Sequence, residues 1–77
     1  MSPDRFNEII ETIKGGKSLI IATYLRAVRI TAKDLAKWEK SGRPLLKNRA
    51  SEDGFYVARG KRSYDYIIRE GCAVYFE

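Results

Sequence analysis

Cys72 is the single cysteine of this 77-residue chain, and there is no histidine. Neither an internal disulfide nor a Cys/His zinc site can therefore staple the fold. At this length roughly 60–65% of the unfolded surface becomes buried on folding, and apolar burial has to hold the domain together alone. The material for a core is present, because 44% of the residues are hydrophobic, with five Tyr, three Phe and one Trp. That composition argues for one folded domain over residues 1–77 and against disorder. An unpaired thiol suits a reducing compartment. The opening residues Met1-Ser2-Pro3-Asp4 show no basic segment followed by an apolar one, and the longest strongly apolar run is Leu19 to Ala22, far below the ~20 residues that span a bilayer. The expectation is a cytoplasmic protein with no membrane contact.

Two helices are legible. Ser2-Pro3-Asp4 reads as a helix start: a hydroxyl to cap free N–H groups, a proline for the first turn, and a carboxylate at the positive end of the dipole. Phe6, Ile9, Ile10 and Ile13 then recur at helical spacing, opposite Asp4, Glu8 and Glu11, and Gly15-Gly16 supply a stop. This predicts a helix over 3–14. Thr31-Ala32-Lys33-Asp34 fits a capping box, from which a second helix should run to about Ser41 and end at Gly42. Leu35 and Trp38 share one face of it, and Lys33, Lys37 and Lys40 fall together on the opposite side.

The remaining segments read as strands. From Lys17 to Ile30 apolar residues occupy both alternating sets, which fits either one strand covered on both sides or two short strands joined near Thr23–Arg26. Pro44 to Lys47 reads as a short edge strand, and Asp53-Gly54 as a turn. Phe55 to Arg59 and Ser63 to Ile68 flank a tight turn at Gly60-Lys61, and Cys72 to Phe76 makes the last strand. The C-terminal half is expected to be a meander. The fold class is α+β: two helices packed on one face of a mainly antiparallel sheet, in the order α-β-α-β-β-β. An exposed last strand could pair with a second copy, giving a homodimer.

Without histidine the chain lacks the commonest general base and the usual partner of a serine or cysteine nucleophile. The ten carboxylates are scattered without a metal-clamping pattern. Gly15-Gly16-Lys17-Ser18 matches the tail of a phosphate-binding loop, but that motif needs glycine where Glu11 stands and a strand before the loop, not a helix. No catalytic residue, metal or cofactor is expected, and the chain is read as a binding protein.

Charge distribution points to the partner. The net charge is +5, yet residues 17–49 alone carry nine basic and two acidic side chains, and the flanking segments are each slightly acidic. Within that central stretch Tyr24, Arg26, Arg29, Lys33, Lys37, Lys40 and Arg43, followed by Lys47 and Arg49, interleave cations with an aromatic ring. Cations neutralise phosphates and a tyrosine can stack on a base, the requirements for sequence-tolerant nucleic-acid binding. Arg59, Lys61 and Arg62 at the Gly60-Lys61 turn offer a second contact point. Each feature has a plainer reading: a lysine ridge solvates any helix, a charged hairpin tip discourages edge aggregation, and Tyr24 and Trp38 are ordinary core residues.

The stretch from Thr23-Tyr24-Leu25-Arg26 through Ala32-Lys33-Asp34-Leu35-Ala36-Lys37-Trp38-Glu39-Lys40 to Ala58-Arg59-Gly60-Lys61-Arg62 resembles, in style and length, the short accessory proteins encoded by bacteriophages and prophages. The resemblance implies action by binding and not by catalysis, on nucleic acid (DNA or RNA) or on an acidic surface of a host protein or defence complex.

Overall fold

The computed structural model describes residues 1–22, 25–51, 54–58, 64–68 and 73–77. Its elements are α1 (Pro3–Lys14), β1 (Leu19–Ala22), β2 (Ala27–Ile30), α2 (Ala32–Lys40), β3 (Leu46–Arg49), β4 (Gly54–Ala58), β5 (Tyr64–Ile68) and β6 (Ala73–Phe76). Every strand pair is antiparallel, so the α+β class and its two helices stand.

The arrangement differs from the expected one in two ways. Lys17 to Ile30 holds two antiparallel strands and four strands, not three, follow α2, which makes the order α-β-β-α-β-β-β-β. The strands also form two three-stranded sheets in place of one: sheet A runs β2-β1-β6 and sheet B runs β3-β4-β5. The meander therefore stops at β5. The last strand crosses back to β1, where Leu19 faces Phe76 and Ala22 faces Ala73, and reciprocal backbone bonds between Ser18 and Glu77 extend the ladder.

Local chemistry sets the helix limits. At the start of α1, Ser2 has extended backbone (φ −61°, ψ 148°) and its hydroxyl accepts the Arg5 N–H at 3.3 Å. At the end, Gly16 turns the chain at φ 114°, a left-handed conformation that costs a Cβ-bearing residue energy. The capping box of α2 forms in full: the Thr31 hydroxyl accepts the Asp34 N–H, and the Asp34 carboxylate accepts the Thr31 N–H at 3.0 Å. Gly42, at φ 83°, reverses the chain after it.

One core joins both sheets and both helices. Ile13 of α1, Leu19 and Ile21 of β1, Ile30 of β2, Leu45, Leu46 of β3 and Phe55 of β4 form a buried cluster, with Ile13 and Leu19 wholly excluded from solvent. Phe6, Ile9 and Ile10 of α1 and Leu35 and Trp38 of α2 pack onto it half-buried. The helices thus cover the inner faces of the sheets.

Sheet A has a second, outward face. Ile20 is only 5% exposed yet lies outside the core cluster, because alternation along β1 directs it away from Leu19 and Ile21. Its cross-strand neighbours are Arg29 on β2 and Tyr75 on β6. Arg29 reaches diagonally across β1 to an ion pair and hydrogen bond with the Glu77 carboxylate, so its aliphatic stem and the Tyr75 ring flank Ile20.

Candidate functional site

The exposed side of α2 gathers three of the expected cations. Lys33, Lys37 and Lys40 lie within about 60° of arc by the helical repeat, spread over about 10 Å of axis, and all three are exposed. Among the described residues none of the three pairs with a carboxylate. Leu35 and Trp38, on the other side of the helix, face the core, which fixes the direction of the ridge. Lys37 and Lys40 also occupy the last turn, where positive charge meets the negative end of the helix dipole.

Arg43 joins this surface from beyond the helix. The left-handed Gly42 folds the chain back, and the Arg43 guanidinium comes to lie 5.8 Å from the Trp38 ring centroid, within cation–π range. Lys37, Trp38, Ser41 and Arg43 line an open hollow of about 450 Å³. On its other flank Arg43 borders a cleft of about 280 Å³ between the ends of α1 and α2, together with Lys14 and Glu39. The helix end therefore presents the Trp38 ring beside two cations, Lys37 and Arg43.

The other expected residues are placed differently. Arg29 leaves sheet A on the outward face, the side opposite the core against which α2 packs, and its charge is met by Glu77. Structure assigns it to covering Ile20, away from the lysine ridge. Arg26 is exposed in the hairpin connection beside Leu25, which is 77% exposed. Tyr24, Arg59, Lys61 and Arg62, with the Gly60-Lys61 turn and Cys72, lie outside the described residues.

Sheet B carries a second basic and aromatic group. In β3 and β4 the register sets Leu46 against Val57 and Asn48 against Phe55 on the core side, and Lys47 against Tyr56 on the other. Tyr56 is half-buried and takes no part in the core cluster that holds Phe55 and Val57. Arg49 donates to the Tyr56 hydroxyl, and its guanidinium lies 5.9 Å from the ring centroid. Lys47 is exposed. Lys47 and Arg49 were legible as cations, but Tyr56 was not associated with them; alternation puts 47 and 49 on one face, whereas only the register of β4 brings Tyr56 there.

Among the described residues no three His, Cys, Asp or Glu side chains converge on a point that could hold a metal ion, and no described helix is long and apolar enough to cross a membrane. The surfaces on offer suit recognition of anions by ammonium and guanidinium groups. No protein-family model, curated protein or solved structure matches this chain, so the functional reading rests on its own geometry.

Proposed function

We propose that the protein is a non-enzymatic binder of nucleic-acid phosphates, with Lys33, Lys37 and Lys40 of α2 as the contact ridge and Arg43 at its end. The observation that carries this reading is the line of three exposed lysines without carboxylate partners among the described residues. Duplex DNA presents one negative charge per roughly 1.7 Å of axis, so a ridge about 10 Å long meets several phosphates at once. Each ammonium that displaces a condensed counterion adds about 0.9 to the slope of log affinity against log salt.

Fluorescence anisotropy with a labelled oligonucleotide of arbitrary sequence, from about 20 to 200 mM salt, tests the reading. The wild type should bind with a steep salt slope. The triple variant Lys33→Gln, Lys37→Gln, Lys40→Gln should lower the slope by between two and three, roughly 0.9 for each lost contact. An absence of binding at the lowest salt, or an unchanged slope in the triple variant, refutes it. Affinity capture from a nuclease-treated lysate adds a control, because a partner that persists with both DNA and RNA removed is a protein and contradicts the proposal.

A further inference from the structure

The lysine ridge accounts for affinity to phosphates but not for the face of sheet B that holds Tyr56. We infer that this face is a platform on which an unpaired base stacks, so that the nucleic acid taken by the protein is single-stranded. The inference rests on the phosphate-binding reading and adds to the α2 ridge a second contact surface, on the side of sheet B away from α2, which a flexible strand reaches by passing around the domain.

Two observations support it. The first is direction: Phe55 and Val57 enter the core and Tyr56 between them does not, so its ring belongs to the side of the sheet away from α1 and α2. The second is company: Lys47 is the cross-strand neighbour of Tyr56, and Arg49 holds the ring by its hydroxyl. A ring held at its hydroxyl by a guanidinium stacks at little entropic cost, and Lys47 brings an ammonium to the same face of the sheet.

Stacking on a ring that lies along a sheet requires a base with an accessible π-face. Bases inside a duplex are covered above and below by their neighbours and expose only edges in the grooves, whereas single strands splay their bases onto aromatic side chains beside a basic track. The plainer role of these residues is structural. A Lys–Tyr cross-strand pair strengthens a sheet, and a lysine on β3 guards an edge. That role predicts no preference between strand forms, which is where the two readings separate.

The experiment measures anisotropy of a fluorescein-labelled dT12 strand and of a 12-base-pair duplex, at low salt, against wild type, Tyr56→Leu, Tyr56→Phe and the triple lysine variant. The wild type should favour the single strand. Tyr56→Leu should weaken dT12 binding by roughly 5- to 150-fold, the range for losing one stacked base, and leave duplex binding unchanged. Tyr56→Phe, which keeps the ring, should retain most of the affinity for dT12. Amide spectra of the wild type provide a measurement independent of any variant's folding: dT12 should shift Lys47, Arg49 and Tyr56, and the duplex should not. If the lysine variant weakens dT12 binding while Tyr56→Leu does not, or if those amides stay in place, the platform is refuted and the phosphate reading survives. If the wild type binds neither oligonucleotide, both fall.

Discussion

Replacing Ile20 and Ile21 with alanine, one at a time, tests the two-faced geometry of sheet A. The side chains are adjacent, chemically identical and almost equally hidden, at 5% and 3% exposure. Burial alone therefore predicts equal losses. Each substitution removes three carbon groups, a transfer loss of about 2.4 kcal/mol at roughly 0.8 per methylene. What differs is the fate of the space. Ile21 sits in the cluster with Leu19, Ile30 and Phe55, where strands and helices on all sides hold the gap open, so a cavity loss adds and the total should approach 4 kcal/mol, within the usual range of about 2–5. Ile20 is flanked by Arg29 and Tyr75, side chains that are themselves about half exposed and can settle into the gap, so its total should stay near the transfer loss alone, about 2.4 kcal/mol. A domain of this size is stabilised by only about 4–12 kcal/mol, and each kcal/mol moves Tm by about 4–8 °C. Urea titration followed by Trp38 fluorescence and by far-ultraviolet circular dichroism resolves a difference of this size. Equal losses, or a larger one at Ile20, would refute the assignment of Ile20 to the outward face.

Further outcomes follow from the caps and the outward face. Gly16→Ala should cost about 1–2 kcal/mol through its left-handed backbone alone, since an added Cβ meets no atom within 4 Å; Gly15→Ala has a helical φ of −74° and only a close contact of 3.3 Å from its Cβ to the Glu11 carbonyl oxygen to relieve, so it should cost less, and thermal melts of the pair check the contrast. Thr31→Ala, which opens the capping box of α2, should lose about 1 kcal/mol, and hydrogen exchange should show the loss first in the initial turn of that helix. Glu77→Gln should cost less than about 1 kcal/mol and less again at high salt, because the Arg29 pair is more than half exposed. Arg29→Ala should cost more than Glu77→Gln, since it also uncovers Ile20, and paired urea titrations measure the difference.

How far the fold was legible depended on whether the signal was local. The limits of α1 and α2 follow from Ser2, Thr31, Asp34, Gly16 and Gly42, each of which acts within one turn of its own position, and both helices fall where the pattern puts them. The stretch from Leu19 to Ile30 was ambiguous for a physical reason. Ile20 is apolar on an outward face because Arg29 and Tyr75 flank it there, so a strand with one core face carries the alternation of a strand with two. The separate destination of β6 depends on pairing with β1 across more than fifty positions, a distance over which no periodicity operates. The same distinction governs the site. The Lys33, Lys37 and Lys40 ridge is a property of one helix and was legible, whereas the departure of Arg29 to Glu77 and the meeting of Lys47 with Tyr56 are both cross-strand events.

The return of β6 to β1 governs the order in which the protein can be made. Leu19 and Ile21 leave the ribosome more than fifty residues before the last strand, and β2 can zip onto them at once, since only a short connection separates the two strands. The opposite edge of β1 must wait for Ala73–Phe76, at the far end of a loop whose closure is entropically unfavourable and slow compared with a hairpin. Until then the nascent chain offers an open strand of Leu, Ile and Ile to any neighbour, so a stalled or C-terminally clipped product should be the aggregation-prone form of this protein.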